Sequence, residues 1–85
     1  GSLEEGFNWG STTFTADRIW TLPTDAASTA GDIVYIKAPD SLGGNDLTVT
    51  GSGAQTMDGA SSLEIESDGG AVSLVYVGSS KWKIF

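Results

Sequence analysis

Eleven carboxylates and no histidine bound the chemistry open to this chain. Glu64 and Glu66 stand two residues apart in Ser62-Leu63-Glu64-Ile65-Glu66, and a pair of carboxylates is the minimum for glycoside cleavage. They alternate with Leu63 and Ile65, however, which places both on the wet side of a half-buried strand and explains them without catalysis. Asp17, Asp25, Asp32, Asp40, Asp46, Asp58 and Asp68 mostly flank strand ends or sit in turns. There aspartate accepts hydrogen bonds from the nearby backbone. The segment Pro39 to Asp46 sets oxygen ligands around glycines as a calcium loop does, but it lacks the alternating acidic ligands and the closing glutamate. Serines are numerous, yet a Ser-His-Asp arrangement has no base here. The lysines fall on outward strand positions or beside turns. Gly43-Gly44 and Gly51-Ser52-Gly53 precede no helix that could receive a phosphate. Without cysteine there is neither a disulfide nor a thiolate metal site. The expectation is a non-enzymatic protein with no catalytic residue, cofactor or metal.

Aromatic side chains offer a different chemistry, stacking on sugar rings. Trp20 and Trp82 share alternation with Leu22 and Ile84 and read as core. Trp9 and Tyr35 remain as candidate ligand-stacking residues. The net charge of −7, with only Arg18, Lys37, Lys81 and Lys83 basic, argues against a nucleic-acid partner and against attraction to anionic membranes. No apolar run approaches the ~20 residues of a spanning helix, so no membrane insertion is expected.

The elements that must position these residues are strands. No segment has a 3.6-residue apolar period, and Asp25 to Ala30 allows one helical turn before Gly31. Alternation predicts strands over Thr12–Ala16, Arg18–Leu22, Asp32–Ala38, Asp46–Thr50, Ser62–Glu66, Ala71–Val77 and Lys81–Phe85. Asp68-Gly69-Gly70 and Gly78-Ser79-Ser80 read as hairpin turns, making the last three strands an antiparallel meander. The expected fold is all-β, a small antiparallel sandwich or barrel-like domain of six to seven short strands. Residues 1–2 read as the remnant of an expression tag, 3–11 as a lead-in, and 12–85 as the single domain.

Eighty-five residues without a disulfide or metal staple lie near the low end for a self-sufficient core. Oligomerisation is one remedy. Ile33 and Tyr35 alternate with Val34 and Ile36, so this strand needs cover on both sides, and Val75 and Val77 lie opposite Tyr76. A small sandwich has one inner face to offer. Val34, Ile36, Val75 and Val77 are therefore candidate subunit-interface residues, unless the lead-in folds Phe7 and Trp9 over the surplus face.

The order of motifs resembles a β-domain that recurs in bacteriophage tail fibres and other virion appendages. The pieces are Trp20-Thr21-Leu22-Pro23, Gly31-Asp32-Ile33-Val34-Tyr35-Ile36-Lys37, Leu47-Thr48-Val49-Thr50, Thr56-Met57-Asp58-Gly59, Ala71 to Val77 and Lys81-Trp82-Lys83-Ile84. The likeness spans residues 12–85, although Met57 and the Leu42-Gly43-Gly44 loop depart from the usual pattern. The resemblance implies a non-enzymatic structural and adhesive domain of the virion, made in the host cytoplasm and assembled as a homotrimer. Other virion proteins, and a glycan or protein of the host surface, are its implied partners. Two other expectations fit the composition: a capsid decoration or head-fibre protein, and a carbohydrate-binding module stacking sugars on Trp9 or Tyr35.

Overall fold

A computed structural model describes all 85 residues and is all-β. Eight strands follow in order: β1 (Gly6–Trp9), β2 (Arg18–Thr21), β3 (Ile33–Lys37), β4 (Leu47–Thr50), β5 (Thr56–Met57), β6 (Ser62–Ile65), β7 (Ala71–Gly78) and β8 (Lys81–Ile84). The helical turn is a 3-10 turn over Asp25–Ala27, capped by the Thr24 hydroxyl. Five strands form one sheet in the order β1-β3-β7-β8-β5, and three form the other in the order β2-β4-β6.

Period-two alternation sets which side of each strand is dry. In β4, Leu47 and Val49 are buried while Thr48 and Thr50 are half-buried. Their partners Ile65 and Leu63 on β6 continue the same inner face. In the larger sheet Val34 pairs with Leu74, Ile36 with Val72, and Tyr76 with Trp82. These two inner faces form one core, completed by Leu3, Phe14, Ala38 and Leu42 from the connecting segments.

Several expectations change. Both sheets are mixed: β1–β3, β2–β4 and β5–β8 pair in parallel, so the fold is not purely antiparallel. Thr12–Ala16 forms no strand. Its Phe14 instead plugs the core, edge-on to Trp20 at 6.0 Å, and Asn45 Nδ2 donates to the Phe14 carbonyl at 3.1 Å. The lead-in is part of the sandwich, because Leu3 is core and β1 is an edge strand. Leu3 N donates to Thr21 O at 2.8 Å, so residues 1–9 run from the edge of the smaller sheet to the edge of the larger.

The three-strand meander is also replaced. β6 pairs with β4, whereas β7 pairs with β3 and β8. The Ser67–Gly70 turn, closed by Gly70 N to Ser67 O at 2.9 Å, therefore carries the chain from one sheet to the other. The loop after β3 holds that turn in place: Gly69 N donates to Pro39 O and Ala38 N to Gly70 O, both at 2.8 Å. Only β7–β8 is a true hairpin. Its two central residues, Ser79 and Ser80, have φ of 54° and 59°, the backbone of a type I′ turn.

Candidate functional site: an apolar sheet face

The outer face of the five-stranded sheet carries a run of exposed apolar side chains. Register places Phe7 beside Tyr35, Tyr35 beside Ser73, Ile33 beside Val75, and Val75 beside Lys83. Phe85 continues the face, tied by its backbone N to Ser73 O at 3.1 Å, with its ring edge-on to Tyr35 at 6.4 Å. Phe7 is 70% and Phe85 63% exposed, and Trp9, Tyr35 and Val77 are also exposed. Folded chains rarely leave a contiguous apolar surface of this kind in water.

Charge is segregated between the two outer faces. Outward positions of the larger sheet hold Lys37, Lys81 and Lys83, and no carboxylate stands on its strands. On the smaller sheet Ile19, Thr48 and Glu64 face outward together. The Glu64 carboxyl is pushed above its ordinary range by its hydrogen bond with Glu66, then by the negative charge of Asp46, with Asp17 contributing less. Like charges crowded on one face disfavour ionisation.

The residues singled out from sequence divide between these environments. Val34 and Ile36 are buried in the core, at 0% and 1% exposure, and cannot serve as an interface. The antiparallel register sets Ile33 against Val75, so Val75 and Val77 share their face with Ile33 and Tyr35. Trp9 and Tyr35 both lie outward on neighbouring strands. β1 lies beside β3 in the plane of the sheet, so Phe7 and Trp9 widen the apolar surface instead of covering it. Phe7 and Phe85 were missed as surface residues. The apolar alternation in Phe7-Asn8-Trp9 was the available signal for the first.

A polar network closes the end of the sandwich at the β7–β8 hairpin. Buried Gln55 uses its whole amide. Oε1 accepts from Ser52 N at 2.9 Å and Trp82 Nε1 at 3.0 Å, while Nε2 donates to Pro23 O and Asp25 Oδ1, both at 2.8 Å. Asp25 also accepts from Tyr76 OH at 3.0 Å and from the Ser80 hydroxyl. The Ser80 hydrogen bond, followed by that from Gln55, holds the Asp25 carboxyl below its ordinary range. Burial first, with the adjacent Asp25 carboxylate adding to it, pushes the Tyr76 phenol up. The network ties the 3-10 turn, the β4–β5 loop and the β7–β8 hairpin together, and each of its groups is committed to another protein group.

A cavity of about 530 Å³ opens beside this network, lined by the apolar Leu3, Leu22, Val34 and Trp82 and by the acidic Glu4, Glu5 and Asp32. Asp32 already accepts from Thr29 N at 2.8 Å. No group of three or more His, Cys, Asp or Glu side chains is gathered to hold a metal ion. No protein-family model and no curated protein matches the sequence.

Proposed function

We propose that this chain is a non-enzymatic structural and adhesive domain of a virion appendage, of the tail-fibre kind, working as a homotrimer. The observation that carries the reading is the apolar outer face built by Phe7, Ile33, Tyr35, Val75, Val77 and Phe85. Removing apolar surface from water contributes roughly 25 cal/mol per Å², and each large aromatic brings about 150–250 Å². Copies meeting through this face bury what one copy leaves wet, and closed symmetry is the usual way to do so. Other virion proteins and the host surface are partners of the assembled appendage. The carbohydrate-binding reading draws on one observation of its own, the exposed pair Trp9 and Tyr35 on that same face. A capsid decoration or head-fibre role differs from a tail-fibre role in what the assembly attaches to, shell or cell.

Native mass spectrometry and sedimentation equilibrium test the assembly. A trimer at tens of micromolar is expected, and monomer alone at those concentrations defeats it. If a glycan array gives hits that Trp9→Ala abolishes while the protein stays monomeric, the face is a sugar platform instead.

A further inference from the structure

The five-stranded sheet is polarised from one margin to the other. At one margin Glu4 and Glu5 immediately precede β1, and both are exposed. Asn8 clamps that segment: its Oδ1 accepts from Glu4 N at 3.1 Å and its Nδ2 donates to Glu4 O at 2.8 Å. The backbone of Glu4 is thus fixed beside the edge strand, with the Glu4 and Glu5 side chains exposed at the mouth of the cavity. Toward the other margin β8 presents Lys81 and Lys83, both exposed. β5 pairs with the Lys81–Trp82 part of β8, and Asp58 just after it extends that cover past Lys83, its N donating to Trp82 O at 3.1 Å. The carboxylates beside this margin are already engaged, Asp58 Oδ1 by Ile84 N at 3.3 Å and Asp25 by the Ser80 hydroxyl, Gln55 and Tyr76. The two lysines are left exposed and unpaired. Between the margins lies the apolar centre.

We infer that neighbouring copies join margin to margin, the Lys81 and Lys83 edge of one seated against the Glu4 and Glu5 edge of the next. This rests on the trimer reading and specifies its contact. In a cyclic trimer each contact is heterologous, joining two different patches of the chain. A sheet cationic at one margin and anionic at the other meets that requirement, and its apolar centres then converge on the three-fold axis. Complementary margins fix which edges meet and speed encounter, while the aromatic residues supply most of the affinity.

Charge reversal at the two margins provides the test, read by sedimentation equilibrium with circular dichroism as the check on folding. Lys81→Glu with Lys83→Glu, or Glu4→Lys with Glu5→Lys, raises the concentration needed for trimer by at least about tenfold. Combining all four reversals in one chain recovers trimer, because each margin again meets its opposite. Trimer weakening with added NaCl in the unaltered chain is the companion measurement, and it applies should a variant fail to fold. Double variants that trimerise like the unaltered chain, a fourfold variant that stays dissociated, or a salt-insensitive trimer each overturn the contact and leave the trimer standing. An unaltered chain that is only monomeric removes the trimer reading, and the contact with it.

Discussion

Replacing Gln55 with methionine keeps the length and approximate volume of the side chain and deletes its four hydrogen bonds. Gln55 is 2% exposed, so water cannot take over at the side chain itself. Trp82 Nε1, 1% exposed as a residue, loses its acceptor, and in half-buried positions Ser52 N loses its acceptor and Pro23 O its donor. The fourth partner, the Asp25 carboxylate, is exposed and keeps its bonds from Tyr76 and Ser80. Three stranded groups at about 1–3 kcal/mol each, with partial relief for the two half-buried ones, give a loss of about 2–5 kcal/mol. Domains of this size typically have about 5–10 kcal/mol to lose. The melting temperature then falls by roughly 8–40 °C, at about 4–8 °C per kcal/mol. Thermal and urea unfolding at matched protein concentration measure it, since self-association would make both concentration-dependent. A shift under about 3 °C would refute the view that this amide holds the end of the sandwich together.

Asp25 and Glu64 give stability opposite dependences on pH. Hydrogen bonds depress the folded pKa of Asp25, so its contribution is present above the ordinary aspartate value and lost as pH falls through the depressed one. The neighbouring carboxylates raise that of Glu64. Its contribution is therefore present below the ordinary glutamate value and lost as pH rises through the raised one. Urea midpoints followed across pH are expected to lose part of their acid-side fall in Asp25→Asn and to sit higher at neutral pH in Glu64→Gln. Identical profiles for all three proteins contradict both assignments. In the β7–β8 turn, Ser79→Asn places a residue more tolerant of positive φ at 54°, and a gain of about 0.5–1 kcal/mol in urea unfolding is expected. A loss shows that the turn is not set by backbone preference.

Strand existence was legible wherever alternation was clean. β3, β4, β7 and β8 fall where their apolar residues recur every second position. Strand partners were not legible in the same way. A strand's own pattern says that its two faces differ, but which face is inner follows from its neighbours. Val34 and Ile36 were grouped with Val75 and Val77 for that reason, while register puts Ile33 opposite Val75. Asp68-Gly69-Gly70 has hairpin chemistry, yet the loop after β3 captures its backbone groups and turns it into a passage between sheets. Thr12–Ala16 has strand composition, but burial of Phe14 and capture of its carbonyl by Asn45 outweigh that preference. β1 spans only four residues, and its sequence carries no hint of a partner 28 positions away, the spacing of Phe7 and Tyr35 in their parallel ladder. Gln55 is a polar residue in a glycine-rich loop, and only tertiary structure gives it a role.

Among the six pairings, only β7–β8 joins strands linked by a tight turn. The other five close long loops before any contact rewards them, and that entropy sets the rate at which the chain finds its native state. Refolding belongs to the slow class of non-local β proteins, roughly milliseconds to seconds. The β7–β8 hairpin is the natural early element. Until β1 docks on β3, the edge of that strand stands open to other chains, so newly made copies are most prone to mispairing in that interval.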